Sequence, residues 1–231
     1  MVKTKYDLIE EKSFKNMPYW VSELAENNFQ RNREDRENRE EALASNPPRI
    51  RLELTNKCNV QCTFCYRTHF KTNDHSVLTP EDVDLLNPVL ATAKYISLFQ
   101  KAESLMSPHI IPILDKMSQY DAVFYISTNG LLLDERISRA LIRNKITFLT
   151  LSINAFNDNY ERFYRGGNFE TLEKNINQLN DLKYRLSSDY PRLRLSFVLR
   201  RDTLGYLDEA LEFIKKHKFS EGIQIITFYS Y

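Results

Sequence analysis

Three cysteines are the whole thiol content of this 231-residue chain, and all fall between residues 58 and 65. The segment reads Leu54-Thr-Asn-Lys-Cys58-Asn-Val-Gln-Cys62-Thr-Phe-Cys65-Tyr-Arg67, a C-x3-C-x2-C spacing. Thiolates so close together can converge on one metal centre, and soft sulfur selects zinc, copper(I) or iron–sulfur clusters over hard cations. The ligand number adds a second constraint. Structural zinc closes with four protein ligands, whereas an iron–sulfur cube on three cysteines leaves one iron open to another molecule. The residues alone leave alternatives. His69 follows Cys65 with three residues between, and His75 lies a little further on. A non-catalytic Cys3His zinc site is therefore the rival to an open cluster, with unligated thiols a third reading. A disulfide framework is excluded, because the count is odd and no cysteine lies elsewhere to pair with the group.

Other chemistries are ruled out by composition. Lys and Arg total 32 against 31 for Asp and Glu, a net charge of +1, so no single-sign field is available to hold nucleic acid or an anionic membrane. The five glycines stand at 130, 166, 167, 205 and 222, which leaves neither GxGxxG nor GxxxxGK(S/T). Glycine-loop nucleotide binding is thereby excluded. The first thirty residues are charged throughout, with no secretory signal, and no apolar run approaches a membrane span. A cytoplasmic protein with reduced thiols is expected.

The elements that would position the cysteines follow from punctuation and periodicity. Residues 1–48 read as an amino-terminal helical extension or linker, since Gln30 to Glu41 mixes both charge signs without an apolar stripe. Pro47-Pro48 then breaks any helix, and the core domain is expected over 49–231. Strand-like runs appear at Ile50–Leu54, Tyr95–Phe99, Ala122–Ser127, Phe148–Ile153, Leu193–Leu199 and Ile223–Phe228, separated by helix-like stretches. Thr79-Pro80-Glu81-Asp82 carries a capping hydroxyl, a proline for the first helical position and acids for the first turn. Ser107-Pro108 repeats the first half of that device. Phe169, Leu172, Ile176, Leu179 and Leu182 form one apolar stripe, and Leu207, Ala210, Leu211 and Ile214 another. Alternating strands and helices predict an α/β fold with a parallel sheet, either doubly wound or an open barrel. In both, chemistry gathers at the carboxyl edge, where the cysteines follow the first strand.

The cysteine spacing and three later landmarks together resemble the radical S-adenosylmethionine superfamily, whose signature CxxxCxxC follows the first strand of a partial (β/α)6 barrel. Phe64 supplies the aromatic residue common before the third cysteine. Ser127-Thr128-Asn129-Gly130 is similar to the family's STNG turn. Leu151-Ser152-Ile153-Asn154-Ala155, followed by Tyr160 to Gly167, is similar to the SIDA and YxxxRGG stretch of SPASM and peptide-modifying members. The likeness spans residues 49 to 231.

That resemblance implies an open partial (β/α)6 barrel carrying a 4Fe–4S cluster on Cys58, Cys62 and Cys65, with S-adenosylmethionine chelating the fourth iron. Reductive cleavage would give a 5'-deoxyadenosyl radical that abstracts hydrogen from a peptide or small-metabolite substrate. An external flavodoxin- or ferredoxin-like donor is implied as a partner. For cofactor contacts it implies Phe64 beside adenine, Glu103 on the methionine ammonium, Ser127 and Ser152 on the ribose or methionine, and Arg165 on the methionine carboxylate. The sequence departs from the pattern in three places. Gln100-Lys101-Ala102-Glu103-Ser104 stands where the family has GxGEP, and Asn154 stands where aspartate is common. The chain also stops at Tyr231, just after the sixth strand, so a missing carboxyl-terminal segment or a partner is expected to cover that strand.

Overall fold

Along the central strands apolar and polar residues alternate, and the alternation gives the sheet two unlike faces. The computed structural model of the chain describes residues 21–69 and 75–227. Its strands are β1 (Arg49–Arg51), β2 (Gln61–Cys62), β3 (Tyr95–Ser97), β4 (Val123–Thr128), β5 (Phe148–Ser152), β6 (Tyr164–Arg165), β7 (Arg192–Leu199) and β8 (Ile223–Thr227). The longer helices are α1 (Glu23–Glu37), α2 (Pro80–Leu85), α3 (Ile110–Met117), α4 (Glu135–Arg143), α5 (Phe169–Arg185) and α6 (Leu207–Lys216).

Six strands pair in the order β1-β3-β4-β5-β7-β8, every pair parallel, and form the expected half-barrel of β/α units. The expected strands all occur; the sixth is described to Thr227, and Phe228 lies outside the described residues. Leu149, Leu151, Leu193, Leu195 and Phe197 point to the convex face, where they join the helices in one large core. The concave face carries the intervening residues. Register sets them in rows: Ser127, Thr150 and Arg194 across β4, β5 and β7, then Ser152, Ser196 and Gln224 across β5, β7 and β8.

The helices obey most of the sequence signals. Thr79 caps α2 in a full capping box with Asp82, and Pro80 takes the first turn. All five predicted stripe residues of α5 are buried. Two expectations are corrected. Ser107 makes its cap-like bond, accepting from the His109 amide, in a turn ahead of α3, and the helix itself begins only at Ile110 with His109 as the flanking residue. On α6 the stripe is rotated: Leu211 is 38% exposed while Ala210 and Phe213 are buried. Phe213 packs against Phe156, Phe169 and Phe219, and that aromatic cluster outweighs the smaller Leu211 in setting the helix phase.

The described part of the amino-terminal segment, from Val21 onward, is anchored. Ala25 is fully buried and Phe29 meets Tyr95 edge-on at 6.1 Å between centroids, beside a small core of Tyr95, Val123 and Phe148 at the amino ends of three strands. Lys94 lies over the Phe29 ring and pairs with Glu26 at 2.7 Å. The Asn28 amide donates to the carbonyls of Asn46 and Thr92. Beyond Phe29 the helix is the charge-mixed, largely solvated one expected from composition, except at Asp35, which is buried and accepts from the Ser45 amide and hydroxyl.

Candidate active site

At the opposite, carboxyl edge the cysteine loop leaves β1 and folds back over the barrel. Gln61–Cys62 pairs antiparallel with Tyr164–Arg165, which sets Cys62 opposite Tyr164. The Thr63 amide donates to the Phe163 carbonyl, and the Thr68 hydroxyl to the Cys62 carbonyl at 2.7 Å. These bonds hold a loop too short and polar to form a core of its own. Beneath it lies a cavity of about 610 Å³. Cys58, Cys62, Cys65, Phe64, Glu103, Ser127 and Ser152 all line it, so the structure gathers seven of the eight residues singled out in the sequence. Arg165 is the exception: it is exposed on the ribbon and does not line the cavity.

Glu103 organises the floor. Its backbone amide donates to the Lys57 carbonyl, tying the turn after β3 to the cysteine loop. Its carboxylate accepts from the Thr128 hydroxyl and the Asn129 amide, both at 2.8 Å, and from the Leu105 amide at 3.1 Å. Burial pushes this carboxyl above the ordinary range, and the three donors pull the other way. Burial raises the Cys58 thiol too, and burial with repulsion from Cys58 and Cys65 takes Cys62 to about 12. Cys58 and Cys62 are therefore protonated near neutral pH until a cation compensates their charge.

The turn after β4 requires its glycine. Gly130 has φ +81°, and a Cβ there would stand 2.5 Å from Leu172 Cδ1 of α5. Next to it the Asn129 side-chain amide donates to Asn59 Oδ1 at 2.8 Å, a second tie to the cysteine loop.

Thr128 and Asn129 of the STNG-like turn and Phe99 to Ala102 at the GxGEP position also line the cavity, as does Tyr164, to which the sequence motifs assign no separate role. Tyr164 stacks on Tyr160 at 4.6 Å and meets Phe64 edge-on at 5.7 Å. Its hydroxyl donates to the Ser152 carbonyl and accepts from the Asn154 amide, whose Oδ1 accepts from the Val198 amide. An ionised aspartate at 154 could accept but could not donate to Tyr164, so the departure noted in the sequence has a structural consequence. The signal that could have exposed this network is that asparagine itself.

Three soft sulfur donors on one loop, bordering one cavity, fit an iron–sulfur cluster in ligand type and number. Among the described residues no three His, Cys, Asp or Glu side chains are gathered to hold a metal ion, so the thiols border the cavity without being drawn to a point. For zinc, the fourth ligand would have to be His69, whose side chain lies outside the described residues, or His75, which is exposed. No helix among the described residues is long and apolar enough to cross a membrane.

Known proteins resemble this chain in sequence or in fold. A probable GTP 3',8-cyclase of Methanocaldococcus jannaschii is 23% identical over 183 residues, covering 78% of this chain and 58% of that protein. A GTP 3',8-cyclase of Aquifex aeolicus is 25% identical over 123 residues, 47% of this chain and 35% of that protein. Among solved structures, Streptococcus suis SuiB bound to S-adenosylmethionine superposes with a TM-score of 0.69 at 13% identity, over 98% of this chain and 51% of that one. SuiB bound to the precursor peptide SuiA gives 0.68 at 14% identity, over 88% of this chain and 44% of that one. At these identities the structural likeness is one of fold. The present chain spans little more than half the length of the first of these curated relatives. The sequence model of the Radical SAM superfamily, however, matches residues 52–214, from the end of β1 through most of α6, and the chain belongs to that superfamily.

Proposed function

We propose that the carboxyl-edge cavity is the active site of a radical S-adenosylmethionine enzyme acting on a peptide or a small metabolite. The cofactors of the superfamily are a 4Fe–4S cluster and S-adenosylmethionine. When bound, they supply reductive carbon–sulfur cleavage and a 5'-deoxyadenosyl radical that removes hydrogen from the substrate. In this reading Cys58, Cys62 and Cys65 hold the cluster. Phe64 packs against the adenine end, and Ser127 and Ser152 offer hydroxyls to the ribose or methionine. The one observation that carries the proposal is that all three cysteines line the same cavity as Glu103, Ser127 and Ser152, which come from the ends of three successive strands.

Glu103 takes a double part. Its carboxylate already accepts from two loops, so it keeps the turn after β4 in place, and it borders the cavity where a methionine ammonium would add a charge-assisted donor. Arg165 is left out of the proposed contacts on account of its position. The chain's remaining work is to orient the cofactor and keep water from the reacting centre. An external one-electron donor of the flavodoxin or ferredoxin kind completes the reading.

The test is anaerobic cluster reconstitution followed by a reductant-dependent assay for 5'-deoxyadenosine. A brown, oxygen-sensitive protein that forms 5'-deoxyadenosine is the expected result. A colourless protein that binds zinc stoichiometrically, or a full cluster that yields no 5'-deoxyadenosine, would overturn it.

A further inference from the structure

On the reading of the cavity as a radical S-adenosylmethionine site fed by an external electron donor, we propose that Lys57 and Arg165 form the contact where an acidic one-electron carrier protein docks. Both are exposed, and neither lines the cavity that Cys58, Cys62 and Cys65 border. Lys57 directly precedes Cys58. Arg165 pairs with Gln61 on the ribbon, one residue from Cys62, and the alternation that brings Tyr164 to the cavity leaves Arg165 in solvent. The two come together because the ribbon folds onto the cysteine loop: a Cβ at Gly166 would stand 3.5 Å from the Asn59 carbonyl oxygen. Two of the three thiols thus have an exposed cation beside them, outside the cavity.

These two charges are uncommitted. Neither side chain has an ion-pair or hydrogen-bond partner among the described residues. Residues 54–69 contain no Asp or Glu, and the other cation there, Arg67, is spent on the Asn56 carbonyl. The acids of the neighbouring turn are Asp158 and Glu161. Glu161 accepts from the Phe169 amide, and the exposed Arg162 stands next to it. In a chain whose total charge is +1, free cations beside two thiols are a local concentration, and such a patch steers an anionic partner. The position selects the occupant. An electron carrier must come close to the cluster, and in this reading cofactor and substrate fill the cavity, so the carrier meets the loop from outside. One electron passes from the reduced carrier to the cluster; the carrier is oxidised by one electron and no bond is made or broken. Exposed charges at such a contact act on the encounter rate more than on affinity.

The test follows reduction of the cluster itself, by stopped-flow absorbance, in the reconstituted full chain. The reductants are two acidic carriers, a flavodoxin and a two-iron ferredoxin, and separately photoreduced 5-deazariboflavin, which is small and uncharged. For at least one carrier, Lys57→Glu combined with Arg165→Glu should slow the second-order reduction about 10-fold or more, and added salt should slow the wild type toward the variant. Lys57→Arg and Arg165→Lys should retain the wild-type rate. Reduction by deazariboflavin, and the 5'-deoxyadenosine it supports, should be unchanged in every variant. If the double reversal does not fold, as read by near-ultraviolet circular dichroism, the salt dependence of the wild type decides. A carrier rate that ignores salt or survives the double reversal overturns the proposal, as does failure of both carriers to reduce a cluster that deazariboflavin reduces. Equal slowing with deazariboflavin also overturns it, because the change would then lie at the cluster rather than in docking. Charge-dependent reduction of a cluster that yields no 5'-deoxyadenosine counts against the radical reading alone.

Discussion

The two ends of the half-barrel are built on opposite terms. At the amino end Tyr95, Val123 and Phe148 are packed under α1, and the polar groups around them are paired: Asn28 with Asn46 and Thr92, Lys94 with Glu26. At the carboxyl end burial raises the pKa of the Cys58 and Cys62 thiols, and Glu103 is a buried acid raised in the same way, all three bordering one cavity. The first end contributes stability by satisfying its groups. The second buries ionisable groups against the preference of their charged forms, which costs stability and is characteristic of a site that waits for a ligand.

Substitutions at the two ends should therefore separate function from stability. Cys62→Ala should abolish 5'-deoxyadenosine formation and the cluster's visible absorption, yet change the stability of the metal-free protein by about 1 kcal/mol or less, read by urea unfolding. A metal-free variant that fails to fold would mean the loop is structural. Glu103→Gln should cost about 1 to 3 kcal/mol, because an amide N–H would face one of the three protein donors. It should also change the pH dependence. A native pKa raised above 4.5 means the folded state holds its proton more tightly. That contribution is complete below 4.5 and lost as pH rises through the native value, so wild-type stability should fall over that window and the Gln variant should lack this fall.

Phe29→Ala tests the other end. It removes a half-buried ring and its contact with Tyr95, and should cost about 1 to 2 kcal/mol with cofactor affinity unchanged. A large loss of S-adenosylmethionine binding would show that the two ends are coupled. Arg165→Ala should do least, within about 0.5 kcal/mol in stability and with little effect on 5'-deoxyadenosine yield, since the side chain is exposed outside the cavity. A strong loss of activity would return Arg165 to the site.

Much of this was legible in the residues. Strand positions followed from short apolar runs, and the cysteine loop from its spacing, because both signals are local. The capping box at Thr79 was readable for the same reason. What escaped was decided by contacts between distant segments. Leu211 had the right period for a buried stripe but lost its place to Phe213, which meets aromatic residues from α5 and the loop before it. Ser107 had the right chemistry for a cap, yet the chain after it turned too early. Arg165 matched a motif, but the alternation of a two-residue strand turned Tyr164 to the cavity and the arginine to solvent. The packing of α1 rested on Ala25 and Phe29, two apolar residues in a helix otherwise dominated by charge.

One pairing sets an order of events in time. Cys62 takes its backbone partner from Tyr164, about a hundred residues later in the chain, and closing so long a loop is slow relative to local helix formation. During synthesis the cysteine segment leaves the ribosome well before the strand that fixes it, at about 5 to 20 residues per second. For several seconds the thiols are therefore exposed without their ribbon. The expected sequence is that β5 and the Tyr160–Gly167 turn dock first and the metal is loaded onto a finished ribbon. A chain stalled before residue 164 would be the form most open to thiol oxidation.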